Sequence, residues 1–230
     1  MKVLNYFNKR DIALWLSSVM IIIASYIFLS GGSILSVVAS LVGVTSLIFC
    51  AKGLPVGQIF MIAFCALYTV ISYSFAYYGE MVTYIGMTLP IAVLALISWL
   101  RHPFQGNKAE VEVNQIHRKE IGFLCVLTTF VTIAFYYILS YFHTANIVPS
   151  TVSVTTSFIA AYLTFRRSAY FAIAYAANDV VLIVLWIMAS FSDIKYISVV
   201  VCFIAFLVND VYGFWNWRRM EIKQRKTAGA

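Results

Sequence analysis

The chain has 230 residues, of which 62% are hydrophobic and 11% charged, with 16 Lys and Arg against 9 Asp and Glu. A soluble domain carries about 25% charged residues, so a soluble enzyme and a disordered chain are both excluded. An integral membrane protein remains. The net charge of +7 raises nucleic acid as a partner, and where the charges sit decides whether it stands.

Crossing the bilayer core as helix takes about 20 apolar residues. Six stretches of that order carry no charge: 12–29, 33–51, 54–79, 81–100, 121–142 and 144–165. Two more, 168–192 and 196–217, carry one carboxylate each within the apolar run, Asp179 and Asp210. Eight spans are therefore predicted. The turns between them are short: Ser30-Gly31-Gly32-Ser33, Lys52-Gly53-Leu54-Pro55, Glu80, His143 and Arg166-Arg167. The one long loop, Arg101 to Glu120, reads as solvated.

With eight spans both termini share a side. That side receives every basic residue except Lys195. The asymmetry follows the positive-inside rule and places both ends in the cytoplasm. The basic excess is thereby topological, and no nucleic-acid partner is expected. The first apolar run is longer than the 7–15-residue core of a signal peptide, so it is expected to stay as a helix. Cys50, Cys65, Cys125 and Cys202 have no paired spacing and read as small core residues. His102, His117 and His143 lack ligand spacing, so neither a metal site nor a cofactor is expected.

Spans two to four and six to eight read as two halves of a repeat. Each half has a basic turn after its first helix (Lys52; Arg166-Arg167), an acidic residue at the next turn (Glu80; Asp193) and a closing tryptophan beside a basic residue (Trp99, Arg101; Trp217-Arg218). Parallel repeats about an axis along the membrane normal occur in some secondary transporters. The expected layout is an N-terminal segment and extra helix (1–32), a three-helix bundle (33–101), a cytoplasmic loop with linker helix (102–143), a second three-helix bundle (144–219) and a basic tail (220–230).

The last two spans repeat a tripeptide, Asn178-Asp179-Val180 and Asn209-Asp210-Val211. Asp179 lies about 11 residues, roughly 16 Å, into its span and so near the midplane. Carboxylates at such depth face a cavity or a partner. No basic residue lies within a span, so two readings stand. The aspartates are protonated or capped by Asn, Ser and Thr, or they receive a cation. Phe171, Tyr175, Tyr212, Phe214 and Trp215 accompany them, and aromatic faces attract a planar cation. Thr155, Thr156 and Ser157 can add hydrogen bonds, and Gln58, Tyr68 and Tyr73 can line the same space. The other reading of the Asn-Asp pairs is interhelical hydrogen bonding. Trp217 is assigned to interfacial anchoring, and Trp215 serves either role. Pro90 marks a kink in the fourth span, as a hinge or as packing.

The segment Asn209 to Trp217 resembles the closing motif of the PnuC family of bacterial vitamin transporters, an Asn followed by Tyr-Gly and aromatics ending in Trp. Leu41 to Glu80, with Ala51-Lys52-Gly53 and Tyr78-Gly79-Glu80-Met81, is similar to family members with an extra N-terminal helix. The resemblance covers Ser33 to Arg218. It implies an all-α integral membrane fold of eight transmembrane helices, an extra N-terminal helix plus a 3+1+3 parallel repeat of three-helix bundles, similar to SWEET sugar carriers. It implies uptake across the bacterial inner membrane of an unphosphorylated vitamin, most often nicotinamide riboside. It further implies facilitated diffusion, a cytoplasmic kinase that traps the product, and a homotrimer. It implies no enzyme activity. Family members for nicotinamide riboside often carry Trp-x-x-Trp-x-x-x-Asn/Asp on the penultimate helix. Here that spacing holds Phe171, Ala174 and Asn178, or Ala172, Tyr175 and Asp179. A cationic vitamin, nicotinamide riboside or thiamine, fits the two aspartates better than a neutral (deoxy)nucleoside does. A proton-coupled importer using Asp179 and Asp210 is the alternative mechanism. The expected substrate-binding residues are Asn178, Asp179, Asn209, Asp210, Tyr212, Tyr175, Phe171, Trp215 and Gln58.

Overall fold

A computed structural model describes residues 6–28, 33–74, 77–144 and 146–228, with the side chains of 107–109, 195 and 228 left out. The first expected turn, Ser30-Gly31-Gly32, lies outside the described residues, as do Lys2 and the Lys195 side chain.

Among the described residues nine α-helices follow one another: α1 Lys9–Phe28, α2 Ile34–Ala51, α3 Val56–Ser74, α4 Tyr78–Thr83, α5 Leu89–Arg101, α6 Arg118–Tyr141, α7 Ile147–Phe165, α8 Phe171–Ser190 and α9 Ile197–Ala228. A π-helical turn, Tyr84–Thr88, joins α4 to α5, so these two make one span, Tyr78–Arg101. Eight helical stretches among the described residues are long and apolar enough to cross a membrane, as the hydropathy predicts. Pro90 sits in the first turn of α5, where its missing N–H costs least. The π turn ahead of it lets Leu89 N–H reach back five residues to Tyr84 O.

Packing arranges six of the spans in a ring. α2 packs on α3, α3 on α5, α5 on α7, α7 on α8, α8 on α9, and α9 back on α2. Outside the ring α1 lies against α2 and α9, while α6 lies against α7 and α4. The outer face of α6 is apolar and exposed, with Val126 at 72% and Phe130 at 70%, as suits lipid.

The termini of α2 and α7 are built alike. Gly53 follows α2 at φ +66, with Gly53 N–H on Cys50 O and Leu54 N–H on Phe49 O. Arg167 follows α7 at φ +57, with Arg167 N–H on Thr164 O and Ser168 N–H on Leu163 O. Both are left-handed Schellman ends, which satisfy the last helical carbonyls. Arg167 holds without glycine a conformation that favours glycine. Its partial burial lowers the guanidinium pKa, and Nε and Nη1 have no hydrogen-bond partner among the described residues.

The same two ends accept a tryptophan from the opposite half. Trp99 Nε1 donates to Thr164 O at 2.9 Å, and Trp217 Nε1 donates to Cys50 O at 2.8 Å. The two indoles meet at 5.3 Å between ring centroids. Both are fully buried, which corrects the expectation that Trp217 anchors at the interface. An indole N–H buried among helices needs an acceptor, and the last carbonyls of a helix are free to serve.

Each of these helix ends also carries an ion pair. Lys52 Nζ lies 2.8 Å from Asp11 at the start of α1. Arg166 pairs with Glu120 at the start of α6, through Nε to Oε1 and through Nη2 to Oε2 at 2.9 Å. The Glu120 carboxylate holds the Arg166 guanidinium above its usual pKa.

The long loop is largely exposed, as its charges suggest, and it is also ordered. β1 (Pro103–Phe104) and β2 (Asn107–Val111) form an antiparallel hairpin turned by Gln105 and Gly106, both at positive φ. Beyond the turn the chain is held by backbone bonds, Val111 N–H to Gly53 O and Asn114 N–H to Arg167 O, each 3.0 Å. Gln224 on α9 accepts from Val113 N–H at 2.8 Å and donates to Val111 O at 3.0 Å. The loop thereby straps the ends of α2, α7 and α9 together.

Candidate functional site

The ring encloses a narrow cavity between α2, α3, the π turn, α7, α8 and α9. The cavity is small in this state, about 30 Å³. Tyr84, Thr88, Ser157, Tyr175, Asn178, Asp179 and Asp210 supply the polar lining, and Leu47, Met61, Phe64, Phe203 and Phe206 the apolar one. No basic side chain is among the lining residues. Asp179 is 3% exposed and Asp210 5%. The two carboxyl groups are each other's electrostatic neighbours, and Asp179 Oδ2 has no hydrogen-bond partner among the described residues.

Helical spacing explains this meeting. Asn178 and Asp179 stand on the inner face of α8 with Tyr175 one turn before, and Asp210 projects from α9, which packs along α8. Asn178 is oriented from α7. Its Oδ1 accepts from Thr156 Oγ1 at 2.8 Å, Ser157 Oγ at 3.0 Å and Ser153 Oγ at 3.4 Å. The carboxamide oxygen is saturated, so its NH₂ is the end left for the cavity. Thr155 bonds Thr132 on α6 at 2.8 Å instead.

The π turn brings Tyr84 and Thr88 to the cavity wall. π turns in α-helices frequently mark functional sites. Neither residue stood out in the sequence, although both are polar groups one helical turn apart in an apolar span.

The expected site residues fall into three groups. Asn178, Asp179, Asp210 and Tyr175 line the cavity. Phe171 lies toward the termini, packed edge-to-face on Trp217 at 4.8 Å and 6.3 Å from Tyr175. Asn209, Tyr212, Trp215 and Gln58 are placed elsewhere. Asn209 donates from Nδ2 to Ser18 Oγ on α1 and to Ala205 O, each 2.8 Å. Tyr212 donates its hydroxyl to Asp11 of α1. Gln58 is buried and donates to Cys50 Sγ at 3.3 Å. Trp215 is 62% exposed on the outer surface. Tyr68 is buried against Tyr84, and Tyr73 is 63% exposed. Cys125 is exposed on α6, unlike the other three cysteines, because its helix faces outward along most of its length. Among the described residues no three His, Cys, Asp or Glu side chains are grouped to hold a metal.

A ring of apolar spans around an acidic cavity defines a polytopic membrane protein. The profile of the nicotinamide mononucleotide transporter family matches residues 33–219, and the chain belongs to that family, which is one of transporters, not enzymes. It is similar to the nicotinamide riboside transporter PnuC of Neisseria mucosa, with 26% identity over 214 residues, 90% of this chain and 81% of the relative. The solved structure described as the vitamin B3 transporter PnuC has the same fold, with a TM-score of 0.82, 21% identity, and 95% and 94% of the two chains covered.

Proposed function

We propose that the protein carries nicotinamide riboside across the bacterial inner membrane, with Asn178, Asp179, Asp210 and Tyr175 as its central binding residues. The observation that carries this reading is the Asp179–Asp210 pair in a cavity lined by aromatic rings and no cation. Two carboxyl groups held close in a poorly solvated space favour a positive charge between them. Tyr84, Tyr175, Phe64 and Phe206 add faces and edges for a planar ring, and Asn178 and Ser157 add polar groups for ribose hydroxyls. The match to a relative of that name supports the choice of cation.

We further infer that the two halves, 33–101 and 144–219, are parallel repeats about an axis along the membrane normal. The reciprocal tryptophan bonds, the paired Schellman ends and the closed order of contacts around the ring support it. Under that axis α1 and α6 occupy equivalent places, and Asp11–Lys52 corresponds to Glu120–Arg166. Both termini lie in the cytoplasm, supported by the basic residues on their side. Transport is facilitated diffusion, completed by a cytoplasmic kinase, and the assembly is a homotrimer; these three points rest on the family resemblance.

Counterflow in proteoliposomes tests the reading. Vesicles preloaded with nicotinamide riboside are expected to accumulate the labelled compound without a pH gradient. Thiamine and uncharged nucleosides are expected to compete weakly. Exchange that requires a pH gradient would favour the proton-coupled alternative, and exchange of thiamine alone would replace the substrate.

A further inference from the structure

A second polar cluster stands beyond the cavity on the side away from both termini. Glu80 lies in the first turn of α4, 3% exposed, with Oε2 unpartnered. It forms no ion pair among the described residues. Tyr68 and Ser72 are one turn apart on α3, and Trp186 is on α8; they are 5%, 0% and 1% exposed. Ser72 Oγ has no hydrogen-bond partner among the described residues either, while the Tyr68 hydroxyl and Trp186 Nε1 face each other. Native interiors leave few buried polar atoms unsatisfied, so Glu80 Oε2 and Ser72 Oγ require an explanation.

The groups share one neighbourhood. Tyr68 feels Glu80 and lies beside Trp186 and Tyr77. Tyr77 packs on Trp186 at 5.0 Å, and Tyr196 on Trp186 at 5.6 Å. Tyr77 N–H bonds Ser72 O at 2.8 Å, tying the start of α4 to the end of α3. Burial near Tyr196 pushes the Tyr77 hydroxyl up to about 12. The cluster also adjoins the central cavity. The rings of Tyr68 and Tyr84 meet at 4.4 Å, and Tyr84 feels both Glu80 and Asp179. The two tyrosines thus stand between the cluster and the cavity.

The chemistry matches that of the cavity below. One carboxyl group faces a ligand charge, the hydroxyls of Tyr68 and Ser72 and the indole N–H of Trp186 suit hydroxyl groups, and three aromatic rings suit a flat body. We propose that Glu80, Tyr68, Ser72 and Trp186 form a second, outer ligand station for a planar organic cation bearing hydroxyl groups, from which the ligand passes Tyr68 and Tyr84 to Asp179 and Asp210. This rests on the carrier reading above and adds a station that reads the charge before the ligand reaches the centre. Glu80 is its charge-reading residue.

Nicotinamide riboside and its dihydro form differ in charge while sharing the ribose, which separates the station from a structural role. Initial uptake of each is measured in proteoliposomes at concentrations below saturation, for the wild type and for Glu80→Gln. Loss of the charged contact is expected to lower uptake of the cation by about tenfold. Uptake of the uncharged dihydro form is expected to change by less than about twofold, since hydroxyl contacts are retained. Glu80→Asp keeps the charge and is expected to keep the preference for the cation. An equal fall for both compounds in Glu80→Gln, or loss of the preference in Glu80→Asp as well, would overturn the station. Wild-type uptake with an unchanged ratio in Glu80→Gln would overturn it alone. Failure of the wild type to take up nicotinamide riboside would overturn the carrier reading, and the station with it.

Discussion

Replacing Asp11 with alanine removes the centre of the contact between α1 and the ring. Asp11 is fully buried, and its carboxylate accepts from Lys52 Nζ at 2.8 Å, from Asn8 N–H at 2.6 Å and from the Tyr212 hydroxyl. Asn8 Oδ1 in turn accepts from Asp11 N–H at 3.0 Å, a reciprocal cap on α1. Breaking a buried pair by removing one partner costs about 3–5 kcal/mol, because the other charge stays buried. The Lys52 side chain is 16% exposed and can recover some water, so a cost of about 3 kcal/mol is expected for Asp11→Ala. The more exposed Arg225–Glu221 pair on α9 is expected to contribute less than about 1 kcal/mol. Reversible unfolding of the purified protein in mixed micelles, followed for Asp11→Ala, Lys52→Met and the double variant, measures the difference. The double variant is expected to be more stable than Asp11→Ala, since no unpaired ammonium remains. A cost below about 0.5 kcal/mol for Asp11→Ala would refute the reasoning. Transport is expected to fall as well, because Tyr212 is two residues from Asp210 and its bond to α1 fixes the rotation of α9.

Gly43→Ala is expected to slow transport and cost about 1–3 kcal/mol, because the new methyl meets the Phe206 ring and lies 3.0 Å from Phe64, both cavity walls. Thermal unfolding and uptake read the two effects. Thr156→Val removes the shortest bond to Asn178 Oδ1, and a severalfold rise in KM with folding retained is expected in uptake kinetics. Trp99→Phe and Trp217→Phe each lose one indole bond across the halves, at about 1–2 kcal/mol apiece. Their rings touch, so the double variant, measured by unfolding, is expected to depart from additivity. Gln224→Ala leaves Val111 O and Val113 N–H without their side-chain partner, and faster amide exchange confined to residues 111–114 is expected.

The spans were legible because lipid imposes one requirement on every stretch, a long run without charge, and a single sequence shows that directly. The central pair was legible for the converse reason, since Asp179 and Asp210 break the rule. Rotation about the helix axis was less so. Asn209 and Asp210 are adjacent in sequence, yet a step of about 100° sends Asn209 to Ser18 of α1 and leaves Asp210 in the cavity. Tyr212 and Trp215 part in the same way, one to Asp11 and the other outward. Tyr84 and Thr88 escaped notice because Pro90 signals a break in the span and not the π turn that brings them to the cavity wall. The loop escaped for a different reason. Its charges suit solvent, while its order comes from backbone bonds to Gly53 and Arg167 that no side-chain pattern announces.

Equilibrium binding of nicotinamide riboside to the purified protein, measured by titration calorimetry for the wild type, Asp179→Asn, Asp210→Asn and the double variant, tests the central claim most directly. Saturable binding by the wild type is expected, weakened by at least about tenfold in each single variant, on the scale of a lost charged contact, and abolished in the double. Wild-type affinity in a folded double variant would contradict the placement of the ligand between the two aspartates.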